Sequence, residues 1–183
     1  MRIISGEFKG RRLQTVPDNT VRPATDQVRG AVFNILQNRI PVHGAEILDL
    51  FAGSGSLGFE ALSRGAKHVV FVEFNGRVAD YLEKNGEELN CIERCSVQIM
   101  SAFDYVARSP EKFDIVFADP PYRQETTPEL PALIFERGLV RTDGYLIIEH
   151  TKHVTFPDSP LYHRTLMREF GGTILSFFIH PEH

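Results

Sequence analysis

Cysteine is scarce, with only Cys91 and Cys95 among 183 residues. One C-x-x-x-C pair without further Cys or a nearby His cannot staple a domain and is a poor metal site, so the two read as reduced thiols. Long apolar runs are missing too, since none approaches the roughly 18–20 residues that a bilayer span requires. The opening stretch MRIISGEFKGRR carries charges where a signal peptide has its apolar centre. The expectation is a cytoplasmic protein with no membrane partner and no metal. There is no internal repeat and no low-complexity linker, and 14 Gly with 11 Pro are too few for a collagen-like or disordered chain. What remains is the composition of an ordinary globular chain, 42% hydrophobic and of single-domain length.

An excess of positive charge is also absent. The net charge of −4 argues, taken whole, against a polyanionic partner. Its distribution argues otherwise. Residues 1–40 hold seven Lys/Arg (Arg2, Lys9, Arg11, Arg12, Arg22, Arg29 and Arg39) against the three acids Glu7, Asp18 and Asp26, and the rest of the chain is acidic. A basic end on an acidic body suggests a nucleic-acid contact confined to that end, although a merely solvated hairpin accounts for the charges equally well.

Residues 1–24 read as a basic arm: Ile3-Ile4, Ser5-Gly6, Gly10, Leu13 and Val16 alternate loosely, as in a short β-hairpin or extended segment. Thr25 is placed to cap a helix whose apolar face is Val28, Ala31, Val32, Ile35 and Leu36, and which Pro41 ends. Thereafter short apolar runs (47–51, 69–73, 97–100, 115–118 and 145–149) alternate with segments long enough for one helix each. This predicts a parallel sheet with helices on both faces. Two further strands, 162–170 and 173–179, flank Gly171-Gly172 and form an antiparallel hairpin closing one sheet edge. The body, residues 25–183, is thus one α/β domain.

The first strand leads into Asp49-Leu-Phe-Ala-Gly53-Ser-Gly55-Ser-Leu-Gly58, a G-x-G-x-x-G between strand and helix, and Glu73 stands twenty residues after Gly53. Such glycines let the backbone approach a nucleotide, and a carboxylate at the second strand tip can accept both hydrogen bonds of a ribose diol. Two cofactors fit. A dinucleotide would place its pyrophosphate at the helix N-terminus; S-adenosylmethionine instead brings cationic groups, which an acid at Asp49 suits better. The second is preferred.

The fourth strand ends in Asp119-Pro120-Pro121-Tyr122. Two prolines fix a rigid exit loop, so that the Asp119 carboxylate and the Pro120 carbonyl can accept both hydrogens of an exocyclic amine while the Tyr122 ring stacks on its base. An isolated D-P-P-Y is as readily a turn after a buried strand. At a tip of the same sheet as the glycine loop and Glu73, it completes one crevice.

The segments Arg2-Ile-Ile-Ser-Gly, Lys9-Gly-Arg11-Arg12-Leu13, Arg22-Pro-Ala-Thr25-Asp26-Gln-Val28-Arg29, the 49–55 loop, Gly58-Phe-Glu60-Ala-Leu-Ser-Arg64-Gly65-Ala and Asp119-Pro-Pro-Tyr122 occur in order over nearly the whole chain. Together they resemble the RsmD family of bacterial 16S ribosomal RNA (guanine-N2)-methyltransferases. The resemblance implies a Rossmann-like seven-strand methyltransferase fold that takes S-adenosyl-L-methionine and methylates the N2 amine of one guanine in 16S rRNA, free or in a small ribosomal subunit or assembly intermediate. Since D-P-P-Y serves N6-adenine methyltransferases on DNA or RNA equally well, that activity is the alternative. The resemblance further implies cofactor contacts from Asp49, Phe51, Gly53, Gly55, Glu73, Ser101 and Ala102, and catalysis by Asp119, Pro120 and Tyr122. RNA contacts are expected from Arg2, Lys9, Arg11, Arg12, Arg22 and Arg29. Ser101-Ala102 stands where the family often has Asp-Ala, which predicts a weaker adenine contact, and Ala24 replaces a common Thr. His150-x-x-His153 reads as a loop pair without a third ligand, and Arg64 and Lys67 as surface charges.

Overall fold

Apolar side chains on consecutive rather than alternate strand residues require both faces of a sheet to be covered. The computed structural model, which describes residues 1–17, 25–121 and 125–182, meets that requirement with five α-helices and seven strands among the described residues. In chain order they are α1 (Asp26–Leu36), β1 (Glu46–Leu50), α2 (Ser56–Ser63), β2 (His68–Glu73), α3 (Gly76–Glu88), β3 (Cys95–Ile99), α4 (Ala102–Arg108), β4 (Phe113–Ala118), α5 (Leu130–Glu136), β5 (Val140–Thr151), β6 (His163–Phe170) and β7 (Thr173–Ile179). The strands form one sheet in the order β3-β2-β1-β4-β5-β7-β6. The first five in sheet order run parallel, and β7 then pairs antiparallel with both β5 and β6. The predicted sheet and its edge hairpin are therefore present.

The two faces sort by residue parity. Ile47, Val69, Phe71, Ile115, Phe117 and Ile147 face one cluster with α1 and α2, whereas Leu48, Leu50, Val70, Val72, Val116 and Ile148 face another with α4 and α5. Thr25 caps α1 as expected, its hydroxyl accepting the Val28 N–H at 3.3 Å. The helix ends earlier than predicted, at Leu36; Gln37 closes it and turns over 37–40 carry the chain to Pro41, so the proline follows the stop rather than causing it. β5 is longer than its apolar run and includes His150, which is buried with Nε2 2.8 Å from the Ser176 hydroxyl. His150 is thus a sheet residue, not one of a loop pair.

The arm is held down by main-chain groups. Residues 1–13 close on themselves through an Arg2–Arg12 antiparallel bridge and bury Ile3, Phe8 and Leu13. The Ile4 and Ser5 N–H groups donate to the two carboxylate oxygens of Glu60 at 2.7 and 3.0 Å. The Glu7 N–H donates to the Ser63 carbonyl and the Phe8 N–H to the Ser63 hydroxyl. Gly6 is required here: its φ is +86°, and a Cβ would lie 1.9 Å from the Ser63 carbonyl oxygen. Further along, the buried Asn85 of α3 accepts the Gln14 N–H and donates to the Gln14 carbonyl. Helix α2, covered by sheet on one side and arm on the other, is buried at every residue.

Arg29 is where the charge count misleads. Its side chain is fully buried, donating to the Arg2 carbonyl at 2.7 Å and to Asp26 at 2.6 Å, with Nη1 3.9 Å from Glu60. It cannot meet a phosphate from there, so the expected RNA contact is corrected to an internal tie. Arg64 likewise pairs with Glu60 at 2.9 Å and lies over the Phe33 ring, whereas Lys67 is exposed and pairs with Glu46. Replacing Glu60 with Ala strands two arm amides, removes the partner of Arg64 and leaves the buried Arg29 with Asp26 alone. A loss of about 3–5 kcal/mol is expected by urea denaturation, with faster hydrogen exchange at Ile4 and Ser5; an unchanged midpoint would contradict the arrangement.

Candidate active site

Parallel strands open their carboxyl ends toward ligands where neighbouring connections diverge, and here that point lies between β1 and β4. The cavity above it is about 980 Å³, the upper end of the roughly 300–1,000 Å³ typical of small-ligand sites. Its walls come from the tips of β1 to β5, the start of α1 and the β6–β7 turn.

At β1 the chain leaves the sheet through Phe51, a non-glycine residue at φ 59°, and enters the loop with Gly53 at φ 53°. Left-handed backbone at a phenylalanine is strained, and strain of this kind collects at ligand sites. Gly55 (φ +71°) starts α2; a Cβ there would press on Leu82 and Phe59, so this glycine serves packing beneath the loop. Glu73 sits at the tip of β2 and grips the loop, accepting the Gly53 N–H at 2.9 Å and the Asn75 N–H at 2.8 Å.

Phe51, Gly53, Glu73, Ser101, Ala102, Asp119 and Pro120 all border the cavity, so seven of the residues singled out in the sequence converge. Asp49 and Gly55 do not border it. Asp49 lies under the loop, buried, with its carboxyl accepting the Gly58 N–H at 3.0 Å in the first turn of α2. Burial, and secondarily the charge of Glu73, push the Asp49 carboxyl up to about 8 despite that hydrogen bond. The carboxyl thus holds the helix N-terminus where a pyrophosphate would otherwise sit. Ser101 caps α4, its hydroxyl accepting the Asp104 N–H at 3.0 Å and donating to the Asp104 carboxylate at 2.8 Å, which commits that hydroxyl locally. Tyr122 and Arg22 lie outside the described residues.

Several wall residues carried no signal in the sequence. Phe74 follows Glu73 and is 76% exposed at the cavity edge, and Phe103 packs edge-on against Phe51. These two rings offer flat apolar faces beside the loop. Glu149 at the tip of β5 and the turn 170–173 form the opposite wall. The only visible clue to Glu149 was an acid closing an apolar run. Among the described residues lining the cavity, Glu73, Asp119 and Glu149 are charged and none is Lys, Arg or His. The chamber is therefore suited to cations and hostile to phosphates. Arm residues Arg2, Lys9, Arg11 and Arg12 are exposed, with Arg11 also donating to the Glu88 carbonyl at 2.6 Å.

A doubly wound sheet of this order with an acidic glycine-loop crevice defines the Rossmann-like methyltransferase class. The profile of the family described as Conserved hypothetical protein 95 matches residues 1–179, and the chain belongs to that family, the RsmD family of the sequence resemblance. Ribosomal RNA small subunit methyltransferase D of Haemophilus influenzae is 37% identical over 183 residues, covering 97% of this chain and 91% of that protein. The protein of the same name from Escherichia coli K12 is 36% identical over 161 residues, 87% of this chain and 79% of its own. Among solved structures, Escherichia coli yhhF superposes with a TM-score of 0.86 at 30% identity, covering 98% of this chain and 97% of that one. By this kinship the protein is an rRNA methyltransferase.

The Asp49 geometry gives a pH signature. With its folded pKa near 8 against an ordinary 3.8, the folded state keeps a proton that the unfolded chain releases. Its stabilising contribution is complete below about pH 4 and is lost as pH rises through about 8. Thermal midpoints should fall between about pH 5 and about pH 9 more steeply in the wild type than in Asp49→Asn; parallel curves would show the carboxyl ionised at neutral pH.

Proposed function

We propose that the protein transfers a methyl group from S-adenosyl-L-methionine to the N2 amine of a guanine in small-subunit ribosomal RNA, in the cytoplasm. The observation that carries the choice of cofactor is the acidic cavity. A dinucleotide would need its pyrophosphate beside Glu73 and at a helix N-terminus already taken by Asp49. A sulfonium with an ammonium fits the same surroundings. Glu73 would hold the ribose, Phe74 and Phe103 the adenine faces, and the 101–102 main chain the adenine edge. When bound, the cofactor supplies an electrophilic methyl.

The remaining work falls to the β4 tip. A nucleobase amine is a weak nucleophile because its lone pair is delocalised into the ring. The Asp119 carboxylate and the Pro120 carbonyl accept its two hydrogens and turn the lone pair toward the methyl. Orientation and fixed dipoles supply the rate; the surplus proton leaves after transfer, to Asp119 or water. Pro120 is buried and Asp119 half-buried, which keeps these acceptors in place and partly shielded. Arg2, Lys9, Arg11 and Arg12 on the docked arm would bind phosphates while the target base leaves its stack, at a cost of a few kcal/mol that is least in loops. The substrate is small-subunit rRNA, free or within a small ribosomal subunit or its assembly intermediate.

Asp119→Ala should lower methyl transfer by at least about 10²-fold while S-adenosylhomocysteine binding changes only a few-fold; near-normal turnover would remove Asp119 from the mechanism. Labelled cofactor, small-subunit RNA or particles, and identification of the modified nucleoside test the whole reading, N2-methylguanosine being expected and N6-methyladenosine excluding it. Reversing Arg11 and Arg12 to Glu should weaken RNA binding and flatten its salt dependence by up to about two unit slopes; unchanged binding would leave the arm a structural element only.

A further inference from the structure

The cavity has two halves divided by the β1–β4 boundary. Gly53, Glu73, Ser101 and Phe103 belong to the β1–β3 side, whereas Asp119, Pro120 and Glu149 belong to the β4–β5 side. The cofactor reading uses the first half and the D-P-P-Y acceptors; Glu149 has no part in it. Yet its place is well defined. Ala118 pairs with Ile148 across the parallel β4–β5 ladder, so Asp119 and Glu149 are the next residues on adjacent strands, about 5 Å apart in backbone. On its other side Glu149 pairs with Leu175 of β7, which fixes the strand from both edges. The residue is 7% exposed and borders the cavity together with Phe170, Gly171 and Gly172.

A base that presents its amine to Asp119 and Pro120 must present the neighbouring ring edge to whatever stands beside them. Beside its N2 amine guanine can present N1–H, a donor, with the lone pair of N3 on the other side; adenine has only lone pairs to present beside its N6 amine, at N1 or N7. An ionised carboxylate only accepts hydrogen bonds. It therefore matches the first edge and repels the second. A site built to bond one substrate donor rejects an analogue without it by large factors, because its own buried acceptor is left facing a lone pair.

We propose that Glu149 is a specificity-determining residue whose carboxylate accepts the N1–H of the target guanine, so that purines with a lone pair at N1 are refused. This rests on the guanine-N2 reading above and adds to it the group that enforces the choice of base. Asp119 and Pro120 position the amine of any base; Glu149 decides which base is in register. The turn 170–172, with open space around the positions where Gly171 and Gly172 side chains would project, leaves room for the base to lie against that wall.

The decisive substrate is 2-aminopurine, which keeps the 2-amino group but has a lone pair at N1. Small-subunit RNA would be assembled with guanine, 2-aminopurine or adenine at the nucleotide found to be methylated. The wild type should prefer guanine over 2-aminopurine by at least about 10²-fold in kcat/KM. In Glu149→Gln, whose amide can either accept from N1–H or donate to N1, that ratio should shrink by about tenfold or more, with S-adenosylhomocysteine affinity unchanged. A carboxylate needed only for the fold would lower both rates together and leave the ratio alone. Wild-type transfer to 2-aminopurine at nearly the guanine rate would overturn the proposal without recourse to any variant, as would an unaltered ratio in Glu149→Gln. If N2-methylguanosine is the natural product and the ratio fails, this inference falls alone; if the natural product is N6-methyladenosine, the guanine-N2 reading falls with it.

Discussion

The carboxylate of Glu60 is the point on which the arrangement turns. It is fully buried in a helix that is itself covered on all sides, and it gathers the Ile4 and Ser5 amides, the Arg64 guanidinium and, at 3.9 Å, Arg29. A lone buried carboxylate would cost several kcal/mol in desolvation; here each oxygen has a donor and a cation stands on either side. Because α2 also begins at the glycine loop, the same helix is fixed to the arm at one end and frames the cavity at the other. Arg29 brings α1 into the same knot, and the first residues of α1 border that cavity as well.

Two kinds of acid therefore serve two different ends. Glu60 and Asp49 face inward and hold elements together, Asp49 by tying β1 to the first turn of α2. Glu73, Asp119 and Glu149 face the cavity, each at the tip of a different strand. Their negative field lies at the centre of the sheet's carboxyl edge, while the exposed cations of the arm sit apart from it on the outer surface. Fields of opposite sign thus stand at the arm and at the chamber, and a phosphate backbone is disfavoured inside the latter.

Periodicity made the sheet legible: runs without alternation meant covered strands, and the structure covers both faces. Thr25, the glycine loop and the D-P-P turn were readable because each needs particular residue types at fixed local spacing. What escaped was set by three-dimensional neighbours. Arg29 counted as one more positive charge, since nothing local tells a solvated arginine from one turned onto an arm carbonyl 27 residues away. Asp49 was read as facing a cationic ligand, whereas its hydrogen bond to Gly58 turns it under the loop. The end of α1 was assigned to Pro41 because proline is the loudest stop signal, although the turns at 37–40 had already ended the helix. Phe74 and Glu149 reach the cavity only through sheet order, which places strand tips far apart in sequence side by side.

The arm's attachment has an evolutionary consequence. Ile4, Ser5, Glu7 and Phe8 are anchored through backbone N–H groups, which every residue except proline possesses. Only Gly6 and the buried Ile3, Phe8 and Leu13 are fixed by space. Of the exposed side chains between them, Glu7 and Arg11 still reach the body, through Arg94 and the Glu88 carbonyl, whereas Lys9 and Arg12 are released from any duty in holding the arm. Descendants of this scaffold can thus rewrite the arm's outward chemistry at such positions without renegotiating the fold beneath it.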